Sequence, residues 1–146
     1  MKTLVDSNVL IASLDESHVH HLPSYEVLEA FADDQLIVSA HSLSEAFNKL
    51  TRGVSTTAFP PFQAATALRD FALRFVVHAL TTDQTLAAMA EFARGGGRGP
   101  RLYDYLIGQI ALVHGATRIV TWNVRDMTPL FPMLTVVTPV QFNGAA

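Results

Sequence analysis

The sequence predicts an α/β fold, a three-layer α/β/α sandwich around a mainly parallel five-stranded sheet. Short runs rich in Val and Ile alternate along the chain with longer stretches in which apolar residues recur at helical spacing. The short runs are continuously apolar, which is typical of strands covered by helices on both faces. Strands separated by helices form βαβ units, and the strands of such units are parallel.

Five short runs are predicted as strands because they are apolar and rich in β-branched residues. In chain order they are residues 3–5, 36–39, 75–77, 118–121 and 135–138. The stretches between them predict helices over about 17–32, 43–50, 60–72, 83–92 and 103–114. Thr82-Asp83 fits the N-cap of the fourth helix. Gly53 and Gly115 are expected to end the second and fifth helices, since glycine is favoured just past a helix C-terminus.

The length and composition favour one domain, spanning residues 1–146. The chain is 49% hydrophobic and only 16% charged, against about 25% charged residues in typical soluble domains. This predicts a compact fold with apolar surface reserved for a partner. No apolar stretch approaches the ~18 residues that a membrane span needs. No signal peptide is evident, so we expect a cytoplasmic protein with no membrane partner.

Cysteine content and net charge exclude some simple accounts of function. The chain has no cysteine, which excludes disulfides, a thiol nucleophile and Cys-based zinc sites. The formal net charge is −3, so bulk charge does not hold this protein on nucleic acid. An RNA substrate remains compatible with the sequence, because a cation bound among acidic residues would cancel part of their charge.

Four acidic residues fall where a parallel sheet places ligand sites, which is beyond the carboxyl ends of its strands. Asp6 follows the first strand, Glu45 lies on the helix after the second, Asp104 opens the last long helix, and Asp126 follows the fourth strand. Clustered carboxylates repel one another unless a positive charge lies among them. Oxygen ligands suit Mg²⁺ or Mn²⁺, which activates water and neutralises charge in phosphodiester hydrolysis.

Each acid also has an ordinary structural interpretation. Asp6 and Asp104 both fit helix N-caps, which favour Asp. Glu45 fits a solvated helix residue, and Asp126 fits a turn in Asn123-Val124-Arg125-Asp126. Only the four residues as a set indicate a metal-dependent site.

Together these residues form four ordered segments. They are Leu4-Val5-Asp6-Ser7-Asn8-Val9-Leu10-Ile11, Ser44-Glu45, Tyr103-Asp104-Tyr105-Leu106-Ile107-Gly108-Gln109-Ile110-Ala111 and Val120-Thr121-Trp122-Asn123-Val124-Arg125-Asp126. Their order and spacing over nearly the whole chain resemble the PIN-domain family, and in particular the VapC-type toxins of bacterial toxin–antitoxin pairs. The chain departs from the family pattern in Met127, in Gly108-Gln109 and in Asn123, which stands where a second Asp is common.

The resemblance implies a PIN-like sandwich that binds one or two Mg²⁺ or Mn²⁺ ions and cleaves RNA endonucleolytically. It also implies a homodimer and a small antitoxin partner that inserts a segment near the active site. Asp6, Glu45 and Asp104 would be the central acids and metal ligands, with Asp126 as a more variable fourth. Asn8, Thr121 and Asn123 would orient ligands or substrate.

Two further features near the acids keep alternative interpretations. Arg98 and Arg101 follow a run of glycines and fit RNA phosphate contacts, although the segment fits a flexible loop better. Trp122 fits either packing against the sheet or stacking on a base. His18, His20 and His21 fit an exposed helix start better than a metal site.

Two other functions remain open at this stage. A phosphohydrolase or phosphoryl-transfer domain also places Asp at strand ends, but it usually needs a Lys after a late strand, and the chain has only Lys2 and Lys49. A catalytically inactive RNA-binding module is the other alternative.

Overall fold

A single sheet of five parallel strands organises the protein in the computed structural model, which describes residues 1–30, 35–52 and 58–144. The strands are β1 (Thr3–Val5), β2 (Leu36–Ser39), β3 (Val76–His78), β4 (Arg118–Val120) and β5 (Thr135–Val137). Their order across the sheet is β3-β2-β1-β4-β5. β1 is therefore central, and Val5 pairs with Val38 on one side and with Val120 on the other.

Eight helices are described, together with a short 3₁₀ helix over Thr128–Leu130. They are α1 (Ser7–Leu14), α2 (His21–Glu29), α3 (Ala40–Thr51), α4 (Pro61–Arg74), α5 (Thr82–Arg94), α6 (Arg101–Val113), α7 (Val124–Met127) and α8 (Pro139–Gly144). In the described residues, no helix has the length and apolar character that crossing a membrane requires.

Successive side chains of a strand point to opposite faces of the sheet. Because the strands are apolar throughout, both faces are apolar, and helices cover both. Val5, Val38 and Val120 contribute to a core that includes residues of α1, α2, α3 and α4. Leu4, Ile37 and Ile119 contribute to a second core on the other face, with residues of α6. The α/β/α sandwich and the five-stranded sheet are confirmed, and every strand pair in the sheet is parallel.

The element ends differ from the sequence-based expectation in ways that capping explains. Thr81 caps α5, rather than Thr82-Asp83, because its side chain and that of Gln84 form a reciprocal capping box. α6 begins at Arg101, directly after Pro100, and so takes in residues expected to precede it. Gly115 adopts a φ of 77° just past α6, as expected.

Two helix boundaries and the C-terminal helix also differ from the sequence-based expectation or lie partly outside the described residues. The predicted first long helix begins at His21, and its expected residues 31 and 32 lie outside the described residues. Gly53, expected to end α3, also lies outside them. The C-terminal helix α8 was not expected, since Pro139-Val140-Gln141-Phe142 shows little helical periodicity. Phe142 is nevertheless buried in the first core.

Gly108 allows α6 to approach a large buried side chain. Phe131 is 1% exposed and packs in the second core. A Cβ atom on Gly108 would collide with the ring of Phe131. The glycine in this motif is therefore explained by packing.

We expect Gly108→Ala to destabilise the protein despite the better helix propensity of alanine. Overpacking typically costs about 1–3 kcal/mol, while replacing a helical glycine by alanine returns up to about 1 kcal/mol. The expected net loss is measured by thermal or urea unfolding. Gly144→Ala is the matched control, because a Cβ there meets open space. Equal stability of the two variants would contradict this packing argument.

Candidate active site

Asp6 lies at the carboxyl end of the central strand β1 and is 4% exposed. Its backbone N–H donates to the carbonyl of Val120 at 3.0 Å, which continues the β1–β4 pairing by one residue. Asp6 is also the N-cap of α1, where its Oδ1 accepts a 2.7 Å hydrogen bond from the N–H of Ser7. Asp6 is therefore a helix N-cap, as one interpretation expected, and it also lies at the strand end where the candidate site was expected.

The second carboxylate oxygen of Asp6 is held by residues from the neighbouring strand. Thr121 Oγ1 donates to Asp6 Oδ2 at 2.8 Å. Asn8 Nδ2 donates to Thr121 Oγ1 at 3.1 Å, and Asn8 Oδ1 accepts from the N–H of Trp122 at 3.0 Å. The N–H of Asn123 donates to Thr121 Oγ1 at 2.9 Å. This network fixes the orientation of the Asp6 carboxylate.

Burial raises the pKa of Asp6 above its ordinary value, and the negative charge of Glu45 raises it further. The hydrogen bonds from Thr121 and Ser7 oppose this effect and lower the pKa. The network therefore offsets part of the desolvation of this buried carboxylate, and its pKa stays raised.

Asp104 lies in the first turn of α6, three residues inside the helix. The N-cap of α6 is Pro100, so the N-cap interpretation of Asp104 is wrong. The pKa of Asp104 is raised mainly by burial, and then by the charges of Asp6 and Asp126. Arg101 and Lys49 lower it. Three acids that are distant in sequence thus share one electrostatic environment.

Glu45, on α3, is close enough to Asp6 for its negative charge to raise the pKa of Asp6. Its Oε1 atom is buried and has no hydrogen-bond partner among the described residues. His41 Nε2 lies 3.4 Å from this oxygen, on the preceding turn of the helix. An acceptor oxygen buried in this way is costly unless a donor or a cation satisfies it.

Asp126 lies on the short helix α7 and is exposed. Its backbone carbonyl accepts a 3.2 Å hydrogen bond from Arg101 Nη2, which ties α7 to the start of α6. Its carboxylate acts on Asp104 through charge. Asn123 contributes its backbone N–H to the network and makes no side-chain capping bond to α7.

The donor set fits a hydrated hard cation. Within residues 1–30, 35–52 and 58–144, no three His, Cys, Asp or Glu side chains form a ready-made metal cluster. Mg²⁺ needs no such cage, because it keeps several waters and commonly binds through one or two carboxylates together with substrate phosphates. A cation placed among these acids would satisfy the Glu45 oxygen and reduce the repulsion between Asp6 and Asp104.

A sequence model of the PIN domain matches residues 3–125, which is most of the chain. The chain belongs to the PIN-domain family. A comparison with curated protein sequences finds no significant match.

Solved structures share the PIN fold at low sequence identity. VapC20 of Mycobacterium tuberculosis, described as a Sarcin-Ricin loop cleaving toxin, superposes with a TM-score of 0.66 at 18% identity, covering 81% of this chain and 87% of its own. VapBC2 of Rickettsia felis, bound to a promoter DNA fragment, gives 0.66 at 22% identity over 94% and 98%. A Klebsiella pneumoniae toxin–antitoxin complex gives 0.65 at 21% over 94% and 98%.

Arg101, which follows the glycine-rich segment, is close enough to Asp104 to lower its pKa. Arg98 and Arg101 line a cavity of about 440 Å³ between the end of α5, the start of α6 and the 3₁₀ helix. Gly96 and Gly99 have φ values of 84° and 71°, which other residues rarely adopt. The segment therefore has a defined turn geometry, and it leads into Arg101, which donates to the Asp126 carbonyl.

Trp122 and the neighbouring histidines are used for packing. The Trp122 ring stacks on His20 at 3.8 Å, and its Nε1 donates to Ser24 Oγ at 2.9 Å. His21 Nδ1 lies 2.8 Å from the carbonyl of Ala12. These contacts favour the packing interpretation of Trp122 and the helix-start interpretation of the histidines.

Sequence reasoning missed three residues at the site. His41 stands four residues before Glu45, a spacing that places them on one helix face. Tyr103 directly precedes Asp104 and stacks on His41, with ring centroids 5.6 Å apart. Lys49 acts on Asp104, and only the tertiary structure brings it there.

We expect Asp104→Asn to stabilise the metal-free protein at neutral pH. The folded state raises the pKa of Asp104, so between the unfolded and folded pKa values the unfolded chain releases a proton that the folded protein keeps. Stability therefore falls as pH rises through this window. Asparagine removes that penalty, and the gain over wild type should shrink as pH falls towards the unfolded value of 3.8.

The same variant should lose stabilisation by cation. A ligand at 100 times its Kd raises stability by about 2.7 kcal/mol, so wild-type melting in EDTA and in Mn²⁺ should differ while Asp104→Asn changes little. Asp70→Asn is the control, because Asp70 is an exposed acid on α4 that pairs with Arg69. Equal Mn²⁺ responses in all three proteins would contradict the metal assignment.

Proposed function

We propose that this PIN domain is a Mg²⁺- or Mn²⁺-dependent endoribonuclease and the toxin of a toxin–antitoxin pair. One observation carries the proposal: Asp6 directly after β1 and acids on α3, α6 and α7 act on one another electrostatically, and burial raises the pKa values of Asp6 and Asp104. Perturbed carboxylates gathered at strand ends are a mark of functional sites.

In this proposal a hydrated cation lies among Asp6, Glu45 and Asp104, bound directly by one or two of these carboxylates and through water by the rest. Asp126 supplies further negative charge from the exposed side. Thr121 and Asn8 keep the Asp6 carboxylate in one orientation, and Asn123 keeps Thr121 in place through its backbone N–H. The cation would supply charge neutralisation at the scissile phosphodiester and a more acidic water as nucleophile. Arg98 and Arg101 bind the flanking RNA phosphates.

The toxin role is supported by the family and by the fold. VapC20 is described as a toxin that cleaves the Sarcin-Ricin loop, and related structures contain toxin–antitoxin complexes. We propose the corresponding partners for this chain: an RNA substrate, a small antitoxin and a second copy in a homodimer. A neighbouring gene for a small DNA-binding protein would identify the antitoxin.

We expect Asp6→Asn to abolish metal-dependent RNA cleavage while leaving the fold intact. Asn caps a helix about as well as Asp, so α1 should persist, but the ligand loses its charge. The loss in kcat/KM should exceed the roughly 10- to 100-fold that partners of metal ligands carry, and it is measured on single-stranded RNA in Mg²⁺ and in Mn²⁺.

Thr121 provides a graded companion to that experiment. Thr121→Val removes the hydroxyl that donates to Asp6 and should lower cleavage by about 10- to 100-fold, while Thr121→Ser should restore most of it.

Expression of the wild type alone should arrest bacterial growth, and Asp6→Asn should not. Wild-type protein that binds no divalent cation and cuts no RNA would overturn the proposal, and hydrolysis of a phosphomonoester instead would favour a phosphohydrolase.

We expect Arg101→Ala to weaken RNA binding through the phosphate backbone rather than through sequence. Removing one phosphate contact should reduce the slope of log K against log salt by about 1. Binding is measured in EDTA, so that cleavage does not interfere. Arg69→Ala, on α4, is the control and should leave the slope unchanged; the same slope in Arg101→Ala would place Arg101 outside the RNA contact.

A further inference from the structure

A second cavity is lined by residues that neighbour two of the acids, although none of the four acids lines it. Its volume is about 240 Å³, and it lies between the start of α3, the first turns of α6 and the segment that leads into α5. His41 and Tyr103 both line this cavity. His41 contacts Glu45, and Tyr103 directly precedes Asp104 in the chain. Arg101, two residues earlier, lines the other cavity. The start of α6 therefore separates an arginine-lined cavity from an aromatic one.

The lining combines an apolar floor with an aromatic rim. Leu80, Leu106 and Ile110 are among its apolar residues. The rings of His41 and Tyr103 stack with an interplanar angle of 18°. Tyr103 is 53% exposed, so this aromatic surface is open to a ligand. The contact between His41 and Glu45 keeps the rim next to the acids.

The size and chemistry of the cavity fit one flat ring system. Cavities for drug-sized ligands are about 300–1,000 Å³, so this one takes a smaller group. Apart from His41 and Tyr103, the polar lining residues are Ser39 and Thr85. A few polar groups on an apolar lining fix the orientation of a bound ring. Bases of single-stranded RNA are recognised by stacking on aromatic side chains and by hydrogen bonds to their edges.

We infer that this cavity binds an unpaired RNA nucleobase next to the phosphodiester held at the acids, with Tyr103 and His41 as the stacking surface. The inference rests on the proposed function and deepens it, because it assigns base selection to a site separate from the carboxylates. An apolar side chain of a protein partner would use the floor of the cavity, but it would not need the stacked rim or its continuity with Glu45 and Asp104.

The test removes one base at a time from the substrate. A short unstructured RNA that the wild type cuts once is synthesised with an abasic ribose at each position in turn. One abasic position beside the cut should lower wild-type kcat/KM by about tenfold or more, as expected for the loss of a stacked base. Tyr103→Ala should be slow on the intact RNA and insensitive to that abasic position, while Tyr103→Phe should behave as the wild type.

A second variant and a second readout guard against simple loss of fold. Ala79 is an exposed residue of the lining, and Ala79→Leu should fill the cavity without disturbing the core. With 2-aminopurine at the identified position in EDTA, binding of the wild type and of Tyr103→Phe should quench its fluorescence. Binding of Ala79→Leu and of Tyr103→Ala should leave it bright.

The outcomes separate this inference from the proposed function. If the wild type cuts no RNA, the ribonuclease proposal fails. If it cuts RNA but Ala79→Leu and Tyr103→Ala respond to abasic positions as the wild type does, only the base site is overturned. Wild-type cleavage by Ala79→Leu, combined with loss of inhibition by a purified antitoxin, would likewise overturn it and assign the cavity to a protein partner.

Discussion

The hydrogen bond from Thr121 to the buried Asp6 carboxylate is the interaction on which the candidate site depends. It exists because β1 and β4 are neighbours and Val5 pairs with Val120, so that the next residues of the two strands meet. Asp6 has little access to water, and few groups offset its desolvation. Thr121, Ser7 and Asn8 provide that offset and fix its direction. The remaining acids are arranged around this fixed carboxylate.

Folding brings the acids of the site together at a cost in stability. Burial and mutual repulsion raise the pKa values of Asp6 and Asp104. Within the described part of the chain, Glu45 Oε1 has no hydrogen-bond partner. Such an arrangement trades stability for function, as is common at active sites. The two cores on either side of the sheet hold the acids in place against this repulsion.

Much of the fold was predictable because its signals are local. The five strands were recognised from short runs of Val, Ile and Leu, and continuous burial on both faces explains why those runs do not alternate. Helix ends were less accurate. The cap of α5 and the start of α6 depend on side-chain bonds and on Pro100 rather than on hydrophobic spacing. The packing of Gly108 against Phe131 depends on two segments that have no local relation.

The strands, their alternation with helices and the position of Asp6 directly after the first strand follow from local sequence patterns. The order of four segments also indicates Glu45, Asp104 and Asp126 as further acids of the site. Which side chains face one another follows from the packing of the folded chain. Asp6 and Thr121 meet across 115 residues, and His41 meets Tyr103 across two helices, because strand order and helix packing, rather than sequence spacing, set the distance between side chains.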